Sequence, residues 1–162
     1  MTQRYHNPFA GIDLNAPIEQ RDVYDRFCKT GDKRSNVDQS PFPRMIDFWF
    51  TGLAIAAREK LSPVDLSGSK TFKFIDGSIF DRDSWRVQTV MLIAISQQDS
   101  VDIVAEPRRI VAIANGLAAA GIPLIVDMLK DGDQDPIWNL SESLELLLKD
   151  KNYKTTVVPV GT

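Results

Sequence analysis

The sequence is poor in the side chains on which most enzymes and metal centres are built: its 162 residues include one cysteine and one histidine. A lone Cys28 cannot form an intrachain disulfide, which suits a reducing compartment. Catalysis by a Ser/His/Asp or Cys/His arrangement needs an imidazole held against the nucleophile, and His6 stands in a stretch without helical or strand period. The usual thiolate and imidazole sets of zinc cannot be assembled either. Glycine-rich turns are missing: Gly116 and Gly121 are single glycines within or after a helix, so neither the phosphate loop nor the dinucleotide fingerprint is present. No apolar run approaches the ~20 residues that span a bilayer. The first residues lack the apolar segment of a secretory signal, so the expected location is the cytoplasm and no membrane partner is expected. An excess of positive charge is absent as well. With a net charge of -3 and a pI near 5.1, the chain lacks the domain-wide field that gives non-specific affinity for nucleic acid, and no direct sequence-specific nucleic-acid binding is expected.

What is present is the material of one folded domain. Hydrophobic residues make up 43% and charged ones 25%, too apolar for a disordered chain. A domain of this length removes roughly 70% of its unfolded surface from water, so it needs no disulfide or metal staple. The pattern predicts an all-α fold, a compact bundle of about five to six helices, divided into residues 1-40 (an extended arm, one short helix and a linker), 41-150 (the helical core) and 151-162 (a tail).

Proline and acidic caps mark most of the helix starts. Asn15 and Pro17 open a short helix that carries Ile18, Val23, Tyr24 and Phe27. Residues 30–40, TGDKRSNVDQS, read as a linker. Pro43 to Lys60 forms a central buried helix around Phe48, Trp49, Phe50 and Leu53. Leu61 to Gly77 is a connector; its alternating stretch Thr71-Phe72-Lys73-Phe74-Ile75-Asp76 resembles a strand, but one strand alone makes no sheet. Ser78 or Asp81 caps a second core helix running to Gln98. Pro107 opens a third, with Ile110, Ile113, Ala114, Leu117 and Ala118 on one stripe and Arg108, Arg109 and Asn115 largely on the other side. Gly121 stops that helix and Pro123 starts another. Asp135 and Pro136 begin the last, with Ile137, Leu140, Leu144, Leu147 and Leu148 as its stripe. The tail includes Val157, Val158 and Val160, whose β propensity finds no strand partner.

Three clusters invite a chemical reading, and each has a plainer one. Asp76, Asp81 and Asp83 offer oxygen ligands for a magnesium ion, as a carboxylate-only metal-dependent nuclease requires; helix capping explains the same residues. Asp131, Asp133, Asp135, Asn139 and Glu142 stand at loop positions 1, 3, 5, 9 and 12 of a calcium-binding EF-hand. Yet Pro136 occupies position 6, where the loop needs the positive φ of glycine, and an aspartate cap before a proline-started helix also accounts for the run. The pair Arg108-Arg109 is too short for a nucleic-acid stripe and reads as a solvated face or as an ion pair with a protein partner.

The segment Phe42-Pro43-Arg44-Met45-Ile46-Asp47-Phe48-Trp49-Phe50-Thr51-Gly52-Leu53-Ala54, the apolar run Val90 to Ile95 and Ile113-Ala114-Asn115-Gly116-Leu117 together resemble small accessory proteins of bacterial phosphorothioation loci, of the dnd system-associated protein 4 type. The resemblance spans Phe42 to Leu148. It departs at Ala118 and Ala119, where that pattern favours a second glycine and charge, and in the additional Leu61 to Gly77. It implies a non-catalytic component of an antiphage defence or DNA-modification operon and supplies no catalytic residue. The expected role is thus an accessory, protein-binding subunit without cofactor, whose partners are other proteins of the same operon. Arg108, Arg109, Val157, Val158 and Val160 are the expected partner-binding residues.

Overall fold

A computed structural model describes residues 6–29 and 36–149. The fold is mostly α-helical, as the sequence pattern predicts, with five α-helices and one two-stranded antiparallel ribbon among the described residues. In chain order they are β1 (Asp13–Pro17), α1 (Arg21–Phe27), α2 (Met45–Arg58), β2 (Thr71–Asp76), α3 (Ser84–Gln98), α4 (Pro107–Lys130) and α5 (Pro136–Lys149). Short 3-10 turns lead into α1, α3 and α4.

The core is a crossing of α2 and α4. Both helices are apolar around most of their circumference because both are covered on several sides. They approach closely where glycine meets glycine: a Cβ on Gly121 would overlap the carbonyl oxygen of Gly52, and one on Gly52 would press on Ile122. Around α2 lies an aromatic cluster. Tyr24 of α1 meets Phe48 edge-on at 4.9 Å and Phe72 of β2 at 5.5 Å, and Phe42 packs against Phe48 at 4.8 Å. Each pair adds about 0.5–1.5 kcal/mol beyond its buried area. Cys28 is sealed beneath this cluster. Burial, with help from the charges of Asp47 and Asp25, pushes its thiol pKa up to about 12, so it acts as a small apolar side chain.

Two sequence expectations are corrected here. First, residues 7–28 are not an arm. Phe9, Leu14, Ala16, Tyr24 and Phe27 are all buried, and Asn7 sews the segment down by donating to the Gly77 carbonyl at 2.9 Å and to Asp81 at 2.8 Å. Asp13–Pro17 is a strand rather than the start of a helix. It pairs with Thr71–Asp76, which the sequence leaves as connector, and a register irregularity falls between Leu14 and Asn15. The ladder was invisible because its two halves are short and far apart, and because Pro17 argues against a strand until it is placed at the strand's end.

Second, Gly121 and Pro123 do not divide residues 107–130. One helix of 24 residues runs through both, with Pro123 inside it. Proline has no N–H, so the carbonyl four residues earlier, that of Ala119, loses its helical donor. The Gln20 side chain supplies a replacement, donating from Nε2 to the Ala119 oxygen at 2.8 Å. Joined in this way, α4 is long and apolar enough by composition to cross a bilayer, but 67% of the relevant window is buried inside the fold. It is the core helix.

Candidate functional site

A two-chambered concavity lies where β1, the 61–70 connector and the first half of α4 meet. Its main chamber is a cleft of about 410 Å³ lined by Pro63, Val64 and Leu66 on one wall, Ala112 and Ile113 on another, and the polar groups of Asn15, Asp65, Ser67, Thr71, Arg109 and Asn115. A shallower hollow of about 300 Å³ continues past β1 and shares Asn15, Ala112 and Asn115 while adding Arg108 and Asp13. Together they make a groove whose floor is one face of α4. The size and the mix of apolar walls with few polar groups are those of ordinary ligand sites.

The walls follow from the sequence. Gly116 lets the connector lie against α4, since a Cβ there would strike Val64, and the Val64 N–H donates to the Gly116 carbonyl at 3.0 Å. On the opposite side β1 is tied to α4 through Asn115. This residue is only 6% exposed, and its Oδ1 accepts from the Asn15 backbone N–H and from the Trp49 indole N–H, each at 3.2 Å. Two donors on one atom identify it as the oxygen and fix the rotation of the amide. Nδ2 therefore faces the other way. It makes no hydrogen bond among the described residues, and Asn115 lines both chambers, so its two N–H groups are left for an occupant of the groove.

Charge gathers at the start of α4. Arg109 donates to Gln98 at 2.7 Å and pairs with Glu106 at 3.2 Å, whereas Arg108, one residue earlier and on the other chamber, has no ion pair among the described residues. Asp65 is held below its usual carboxylate range by hydrogen bonds from Ser67. It is an ordinary anion at neutral pH, unlike the near-neutral carboxyl of a general acid or base. The lining contains neither histidine nor cysteine. The arrangement can orient and hold a molecule.

The residues singled out from the sequence are distributed unevenly about this groove. Arg108 and Arg109 stand at its mouth. Val157, Val158 and Val160 lie outside the described residues. The helical pattern puts Asn115 largely on the side away from the apolar stripe, yet in the fold it is buried, because β1 lies against that side of α4.

Several members of the acidic runs are engaged within the fold, though no side-chain hydrogen bond is made by Asp83, Asp131, Asp133 or Glu142 among the described residues. Asp76 receives N–H groups from Ser78 at 2.8 Å and Gly11 at 3.3 Å, and Asp81 receives Asn7. Of the EF-hand positions, Asn139 is turned inward and buried. Its amide donates to Leu129 at 3.2 Å and Gln134 at 2.9 Å and accepts from the Gln134 N–H at 3.2 Å, closing the turn between α4 and α5. Asp135 accepts from Gln39 at 2.6 Å. Among the described residues no three His, Cys, Asp or Glu side chains converge as a metal would require.

Comparison with models of known families, with curated proteins and with solved structures finds no match to this chain.

Proposed function

We propose that this chain is a non-catalytic binding protein, an accessory subunit of a bacterial antiphage defence or DNA-modification system, and that the groove along α4 is where it recognises what it binds. The observation that carries this reading is Asn115, a buried amide pinned by Trp49 and Asn15 that presents free donors to a half-apolar groove with guanidinium groups at its mouth. A preorganised donor in a desolvated position is what a recognition site requires. The resemblance of 42–148 to phosphorothioation-locus accessory proteins supplies the biological setting. Further support comes from Trp85, Leu92, Val101 and Val104 on and after α3 and from Trp138, Leu146 and Leu148 on α5, large apolar side chains left exposed as on proteins that assemble with others.

The test is co-expression with the products of neighbouring reading frames. The wild-type chain is expected to co-elute with at least one of them. Ala112→Phe, which fills the groove from an exposed helix position and leaves the core untouched, should abolish co-elution while preserving the circular dichroism spectrum. Failure to co-elute with any neighbour overturns the accessory reading.

A further inference from the structure

Resting on the reading of the α4 groove as a binding site, we infer that its ligand is a short extended amide chain ending in a free carboxylate, chemically the carboxy terminus of a peptide. The two kinds of donor in the groove are separated along one helix. Asn115 is seven residues beyond Arg108, which at 1.5 Å per residue is roughly 10 Å of helix axis. Helical side chains lean toward the helix N-terminus at both positions, so the shift of Asn115 toward the arginines is matched by their own and the span between donors stays on the order of that axial rise. An extended polypeptide advances about 3.3–3.6 Å per residue, so about three residues bridge it.

The chemistry at each end selects the functional group. Arg108 lacks an ion pair among the described residues, and a guanidinium presents parallel N–H groups that match a carboxylate. The Asn115 Nδ2 is neutral and donor-only, and suits a peptide carbonyl. Ala112 lies between them and is shared by both chambers; beside it, in the main chamber, Ile113, Val64 and Leu66 give an apolar surface for a side chain of the bound chain, and Asp65 on that wall can accept from one of its N–H groups. A phosphate or other compact anion would use the arginines and leave the amide and the apolar wall idle; a purely apolar ligand would leave every polar group unpaired.

The probes are N-acetyl-alanyl-leucyl-alanine and its carboxamide twin, titrated into the ¹⁵N-labelled full chain and followed by NMR. The acid should shift the Asn115 side-chain NH₂ pair and the Ala112 backbone amide and should bind about tenfold or more tightly than the carboxamide. Arg108→Gln should bring the acid down to the affinity of the carboxamide while leaving the carboxamide unchanged, a pattern that general loss of structure would not produce. Ala112→Phe should block both. Equal binding of acid and carboxamide overturns the carboxylate assignment. If neither peptide moves Asn115 while co-elution with operon neighbours persists and remains sensitive to Ala112→Phe, the inference fails and the groove's role in binding stands; if both experiments fail, both fall.

Discussion

The Gln20 side chain donates to the carbonyl of Ala119 at 2.8 Å across 99 residues of sequence, and that carbonyl is the one Pro123 deprives of its helical donor. The two features belong together. Gln20→Ala should cost about 1–2 kcal/mol, since it strands a part-buried acceptor. In a Pro123→Ala background, where residue 123 regains an N–H for Ala119, the same substitution should cost much less. Urea unfolding of the four proteins gives the coupling energy, and equal costs in both backgrounds would dissociate the residues.

Close approach of α2 and α4 leaves no room for a methyl group between them. Gly121→Ala, which sets a Cβ against the Gly52 carbonyl, should destabilise by about 3 kcal/mol. Gly68→Ala, whose Cβ would meet nothing within 4 Å, should change stability by no more than about 0.5 kcal/mol. Thermal and urea midpoints measured side by side test the contrast.

Asp47 anchors a small ion cluster. Arg44 donates to both its oxygens at 2.9 and 3.0 Å, and Arg86, largely buried between Phe50 and Trp85, donates at 2.8 Å. Burial works against the carboxylate, but the hydrogen bonds and charges of the two arginines outweigh it and hold its pKa below the usual value. A carboxyl depressed in the folded state gives stability that is whole above its unfolded pKa of about 3.9 and drains away as pH falls through the folded value. Wild type should therefore lose stability more steeply than Asp47→Asn below about pH 4. Asp47→Asn itself should cost about 1–3 kcal/mol at pH 7, because Arg86 loses its counter-charge. Parallel slopes in acid would remove Asp47 from the cluster's energetics.

Asn139 closes the α4–α5 turn with three backbone contacts. Asn139→Ala should destabilise by about 1–3 kcal/mol. Its oxygen is occupied in the turn and Asp135 is bound by Gln39, so millimolar calcium should leave the melting temperature of the wild type unchanged. A rise in that temperature on adding calcium would restore the EF-hand reading.

Local signals in the sequence carried most of the helices. Proline just before α2 and at the first position of α4 and α5, together with the leucine stripe of α5, are short-range features, and they mark helices wherever the rest of the molecule puts them. The errors share a different origin. Gly121 and Pro123 look like a stop and a restart when only neighbours are considered; a distant glutamine and a facing glycine turn them into the interior of one helix. Likewise the ribbon needed both strands to be recognised together. Of the site, Arg108 and Arg109 were legible as an unexplained basic pair. Asn115 was visible only as part of an Ala-Asn-Gly stretch, because its burial depends on β1, and nothing within several residues of it announces that a strand from the other end of the chain lies across it.

The tie between Asn15 and Asn115 spans 100 residues, and it has a bearing on how the protein is made. During synthesis the opening segment, with Phe9, Leu14, Tyr24 and Phe27, leaves the ribosome long before α4 exists to receive it. Tyr24 and Phe27 can find Phe48 and Phe72 earlier, but the face of β1 that lies on α4 has no cover until about a hundred further residues have been added. The groove, framed by the first strand and a late helix, is among the last parts of the molecule to take shape.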